Sequence, residues 1–179
     1  MSADTSFAIC TPRLRLRQFV ADDADFLIGL LGDPITMSHW SAPLTAAEAT
    51  AWLQRALDSY AEHGFGRWLV ARRDDGQPIG DVGIARLWIQ DRLENDLGYI
   101  IHRDHWRCGY ALEAAAACTD WAREYGLGSI VASMAEDNVA SSGVADKLGM
   151  VLEQRFGNPR NRNKPTRLYR LDLSRGDAG

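Results

Sequence analysis

A chain of 179 residues is long enough to bury a full hydrophobic core as one domain, without disulfide or metal staples. Its 46% hydrophobic and 25% charged residues, with a net charge of −4, are those of an ordinary soluble globular protein. That balance gives a nucleic-acid partner no support and leaves an amine-bearing one open.

Three scattered cysteines (Cys10, Cys108, Cys118) make no paired or metal-like spacing, which predicts reduced thiols, no metal site and a cytoplasmic home. The start, "MSADTSFAIC", lacks the basic end and apolar run of a secretion signal. Nothing approaches the roughly 18 apolar residues of a membrane span.

In chain order, "RLRLRQF" (Arg13 to Phe19) alternates basic with apolar residues and predicts a strand with Leu14 and Leu16 on one face. "DDADFLIGLL" follows as a helix with acids in its first turn, then "DPITMSHWSAPL" as a loop. Thr45 and Glu48 form a T-x-x-E capping box, with Ala49, Trp52, Leu53, Ala56 and Tyr60 on one face and Gly64 as the stop. Residues 67–73, 79–87 and 95–102 read as strands, the first two separated by "DDGQP". A helix spans about Ala111 to Tyr125, a strand 129–135 and a short helix "SSGVADKLG". Strands 151–156 and 167–173 flank the turn-rich loop "GNPRNRNKP". Helices interleaved irregularly with neighbouring strands predict a mixed α/β or α+β fold, one domain over 7–174 with frayed tails at 1–6 and 175–179.

Between a strand and a helix stands "WRCGYA", Trp106 to Ala111. Successive N–H groups in such a loop, with the unpaired donors of the helix's first turn, make an anion site. Gly109 lets backbone approach a pyrophosphate closely, and Arg103 and Arg107 add charge. The same stretch also serves as a plain strand-to-helix corner. Neither G-x-x-x-x-G-K-[ST] nor G-x-G-x-x-G occurs, which excludes the familiar nucleotide loops. Downstream, "NVASSGVADKLGM" opens on Asn138, an N-cap by its local chemistry, and closes on Gly149.

Together, "WRCGYALEA" and "N-x-x-S-x-x-V-x-x-K-x-G-M" resemble the GNAT acetyltransferases, particularly the ribosomal-protein (RimJ/RimL-type) N-terminal acetyltransferase branch. The resemblance covers roughly residues 11–173, with "TPRLRLRQF" and "IGDVGIARL…NDLGYII" in order. It implies the GNAT fold, a mostly antiparallel sheet with a splayed pair of strands flanked by helices. It implies an acyltransferase using acetyl-CoA, with the pyrophosphate on Arg107, Cys108, Gly109, Tyr110 and Ala111. The pantetheine arm then lies beside Tyr99, Ile100 and Ile101, and the thioester near Asn138 and Ser141. The chain departs from the wider family at Trp106, where Gln or Arg is favoured, and at Arg107 and Cys108, where Gly and a basic residue are common.

The chemistry implied is acyl transfer to a neutral primary amine, which needs a base and a donor to the departing thiolate. Asp96, next to "LGY", and Glu94 on the same strand face are the base candidates, set against their role as solvated acids. Ser141 is the candidate donor, with Tyr110 as its rival. His39 and Trp40 belong to the acceptor pocket, with the basic residues Arg155, Arg160, Arg162, Lys164 and Arg167 nearby, although a solvated hairpin tip explains that cluster equally. The acceptor amine is a protein N-terminus or a small molecule. Succinyl-CoA as donor and a non-catalytic acyl-CoA-binding module are the alternatives. Six tryptophans are compatible with a monomer or a homodimer.

Overall fold

In the computed structural model, which describes residues 7–174, local chemistry sets the element boundaries. Both segments expected to fray, 1–6 and 175–179, lie outside the described residues. The Thr45 hydroxyl accepts from the Glu48 N–H (3.3 Å) and the Glu48 carboxylate accepts from the Thr45 N–H (2.7 Å). This reciprocal box starts the helix Ala46–His63, and Gly64 at φ 77° ends it.

The order is β1 (Phe7–Cys10), β2 (Leu14–Gln18), α1 (Ala24–Gly32), α2 (Ala46–His63), β3 (Arg67–Arg72), β4 (Pro78–Ile89) and β5 (Arg92–Ile101). It continues with α3 (Tyr110–Tyr125), β6 (Ser129–Ala135), α4 (Val139–Lys147), β7 (Val151–Asn158) and β8 (Lys164–Asp172). Among the described residues no helix is long and apolar enough to cross a membrane.

Eight strands form one sheet in the order β1-β2-β3-β4-β5-β6-β8-β7. Every neighbouring pair is antiparallel except β5 and β6. Those two meet at a single bridging pair, Asp96 with Val131. The next N–H on β6 that would bond to a strand, Ser133, instead donates to the Asp96 carboxylate at 3.2 Å. Past that point the strands part, which opens a V in the middle of the sheet.

Helices cover both faces. The alanine-rich side of α3 (Ala114, Ala115, Cys118, Ala122) and Ala145 of α4 pack against Val82, Ile84, Leu97, Ile130 and Tyr169. On the opposite face, Leu27, Leu30 and Leu31 of α1 and Ala49, Leu53 and Ala56 of α2 bury Leu69 and Ala71. Each is the face its 3.6-residue spacing predicts.

Two elements differ from expectation. β1 is a four-residue edge strand, too short to show an alternating pattern. The segment expected as a long loop at 157–165 is mostly hairpin: β7 runs to Asn158, β8 starts at Lys164, and a 3-10 turn at Pro159–Asn161 joins them. Arg162 and Asn163 take left-handed backbone there (φ 49° and 59°), and the Asn163 N–H closes the turn on the Asn158 carbonyl at 2.8 Å.

Candidate active site

The loop from Trp106 to Gly109 leaves β5 and enters α3 through two left-handed residues, Arg107 (φ 61°) and Gly109 (φ 79°). Among the described residues, no protein acceptor takes the N–H groups of Arg107, Cys108 and Gly109 or of the first-turn residues Tyr110, Ala111 and Leu112. Six backbone donors at a helix N-terminus, gathered in one loop, fit an anion. The Trp106 indole donates to the Ile101 carbonyl (2.8 Å) and holds the loop to the strand end. Cys108 is exposed.

Of the two arginines expected near phosphate, Arg103 points elsewhere. It pairs with Asp33 (3.6 Å) and Asp104 (3.7 Å), and its N–H donates to Thr36. Arg13, which the local sequence pattern marks only as an outward strand residue, stands against the loop instead. Arg13 donates from Nη1 to the Cys108 carbonyl (2.9 Å) and from Nε to Glu113 (2.6 Å), and its guanidinium lies 4.6 Å over the Tyr110 ring. Partial burial pushes the Glu113 carboxyl up, but Thr11 and Arg13 outweigh it and hold it below the usual range.

Across the V, Asn138 caps α4 by accepting from the Ser141 N–H at 3.0 Å, as its local sequence predicts. The Tyr99 hydroxyl donates to the Ser141 carbonyl (2.7 Å), and burial pushes that phenol's pKa up, so it stays neutral. The Ser141 hydroxyl has no protein partner among the described residues.

A cavity of about 740 Å³ joins the V to the α2 face of the sheet. Tyr99, Ile100, Asn138 and Ser141 line one part of it; His39, Trp40, Trp52 and Arg160 line another. Asp96 stands between them. Burial pushes its carboxyl pKa up, against the opposing pull of Arg160, Arg67 and the Ser133 hydrogen bonds.

Glu94 shares that strand face but not that surrounding. Its carboxylate is buried and engaged by Arg170 (2.7 and 3.1 Å), which also pairs with Glu153, and it is outside the cavity lining. Tyr110 also lies outside it, under Arg13.

On the acceptor side Trp40 meets Trp52 edge-on at 5.7 Å, so it both packs and lines the cavity. His39 contacts Asp137 through Nδ1 (3.3 Å), and its carbonyl accepts from Lys164 Nζ (3.0 Å). The basic cluster divides: Arg155 and Arg167 face Glu136, Lys164 faces Asp137, and Arg160 turns to the cavity.

A buried group sets this wall. Asp81, fully buried on β4, accepts from Arg67 Nε (2.9 Å) and from the Trp52 indole (2.7 Å). A signal existed in the sequence: an acid in the otherwise apolar run "IGDVGIA" has to find a cationic or donor partner.

Residues 13–151 match the family model described as "Acetyltransferase (GNAT) domain". The uncharacterised protein YkkB of Bacillus subtilis (strain 168) is 32% identical over 171 residues, 94% of this chain and 96% of its own length. An acetyltransferase structure from Agrobacterium tumefaciens superposes with a TM-score of 0.78 at 24% identity, over 96% of this chain and 98% of that one. RimL, a ribosomal-protein acetyltransferase solved in complex with coenzyme A, gives 0.76 at 14% identity, over 93% and 98%. Those two likenesses establish the fold, and the family model and YkkB the kinship: the chain is an acyltransferase of the GNAT acetyltransferase family.

Proposed function

We propose that residues 7–174 act as a single domain that transfers the acetyl group of acetyl-CoA to a primary amine, by direct attack with donor and acceptor bound together. One observation carries this: a single cavity holds Asp96 where the strands part, with Asn138 and Ser141 toward one end and Trp40 and Trp52 toward the other.

The residues fit acetyl-CoA. The six unpaired N–H groups from Arg107 to Leu112 suit a pyrophosphate, and the β5 edge at Tyr99, Ile100 and Ile101 faces the open V, where β6 offers no ladder partner. RimL, with the same fold, holds coenzyme A. Bound acetyl-CoA supplies an activated thioester carbonyl. Asp96 accepts the amine's proton, and its raised pKa brings it closer to the working pH of a base. The uncommitted Ser141 hydroxyl is the donor toward the sulfur; Tyr110, held under Arg13, is not. Glu94 is left out, because Arg170 already occupies it. The succinyl alternative loses most of its basic cluster to Glu136 and Asp137. Free cysteines agree with a cytoplasmic site of action.

The test is incubation with acetyl-CoA and a broad panel of amines and peptides, read by mass spectrometry. If coenzyme A binds and nothing is acetylated, the proposal fails. The cradle is tested separately. Gly109→Val places a β-branched residue at φ 79°, a strain of about 1–2 kcal/mol, with Arg13 Nη2 at 3.4 Å from the new Cβ. The expected result is a folded protein whose Kd for coenzyme A, by calorimetry, rises at least about tenfold as the backbone leaves its donor geometry. An unchanged Kd excludes the loop as the phosphate site.

A further inference from the structure

The acceptor end of the cavity contains a guanidinium that the protein does not fully use. Arg67 is 8% exposed. Its Nε donates to the Asp81 carboxylate (2.9 Å) and its Nη2 to the Asp81 carbonyl (2.8 Å), which fixes the side chain in one place. The third nitrogen, Nη1, lies over Gly98, where an added Cβ would come within 1.6 Å of it. Among the described residues Nη1 has no acceptor, and Arg67 lines the cavity.

A buried guanidinium with unused N–H groups aimed into a cavity is a site for an anion. Asp96 is not that anion, since among the described residues the two form no ion pair. They are nevertheless neighbours in the cavity. Gly98, under Nη1, and Asp96 are two residues apart on the same face of β5, and both line the cavity. Arg160 adds a second positive charge from the hairpin, and Trp40 and Trp52, packed edge-on, give an apolar wall beside it.

We infer that the acceptor is an amino acid, an amine with a carboxylate nearby: the carboxylate on Arg67 Nη1 with Arg160, the amine at Asp96, and the rest of the molecule against Trp40 and Trp52. This rests on the acetyltransferase reading above. In the transfer, the nitrogen–carbon bond that forms replaces the carbon–sulfur bond that breaks; the proton shed by nitrogen goes to Asp96, the departing thiolate takes one from the Ser141 hydroxyl, and solvent carries the Asp96 proton back to Ser141.

Matched ligands test it in the unmodified protein. Each of the standard amino acids is compared with its C-terminal amide, which keeps the amine and side chain and removes the charge. Binding is read by calorimetry with coenzyme A present, and transfer by mass spectrometry with acetyl-CoA. The expected result is at least about a tenfold lower Kd and higher kcat/KM for an acid than for its amide. Arg160→Gln, on an exposed turn, is expected to narrow that preference. If amides or peptide N-termini are bound and acetylated as well as the acids, this inference is overturned and the acetyltransferase reading stands. If coenzyme A binds and no member of either set is acetylated while another amine or peptide of the broad panel is, this inference alone falls; if nothing in either set or in that panel is acetylated, both fall.

Discussion

Asp96→Asn is expected to slow acetyl transfer by about 10²-fold or more, the usual contribution of a positioned general base. The substitution is nearly isosteric, and the Asn oxygen still accepts from the Ser133 N–H and hydroxyl, so the floor of the V keeps its shape. The pH profile separates a base from a scaffold. With its pKa raised by burial, Asp96 is protonated and inactive at low pH, and activity climbs as pH rises through that pKa. In the Asn variant this acid limb disappears. Stability has the opposite sign: the folded state holds the Asp96 proton more tightly than the unfolded chain, so this group's contribution declines as pH rises through the folded pKa. The variant is therefore expected to melt no lower than the parent near neutral pH. A folded Asn variant that keeps the full rate, or the acid limb, removes Asp96 from the mechanism.

The largest loss of stability is expected from Asp81→Ala. The change strips the buried Arg67 of the carboxylate at 2.9 Å and leaves the Trp52 indole without its acceptor. Removing one member of a buried ion pair costs about 3–5 kcal/mol, because the other charge stays buried and uncompensated. For a domain of this size that amounts to a fall in Tm of roughly 6–20 °C by calorimetry. A fall under about 2 °C would mean that water reaches Arg67 and that its fixed position is not set by Asp81.

The contrast between these two residues shows what the sequence makes legible. Asp96 could be picked out because it stands beside "LGY" in a stretch with a family likeness. The Thr45–Glu48 box, the apolar stripe of α2 and the strand 129–135 are likewise local patterns, and they fold as written. Arg67, Asp81 and Trp52 come from three elements, and Arg13 meets Cys108 across 95 positions. No window of neighbouring residues contains such contacts. Glu94 illustrates the same limit in reverse: its face was predictable, but its engagement by Arg170, 76 residues away, was not.

The lone bridge between Asp96 and Val131 also has a mechanical meaning. Strands β1–β5 form one continuous ladder and β6–β8 another, and backbone hydrogen bonds hold each rigid within itself. Across the seam the attachment is largely by side chains: the Asp96 carboxylate on Ser133, the Asn95 amide on Ser129 at 3.2 Å, and the guanidinium of Arg170 on Glu94. The two half-sheets thus meet along a seam that side chains hold in place of a backbone ladder, and the width of the groove between them is set by those side-chain contacts.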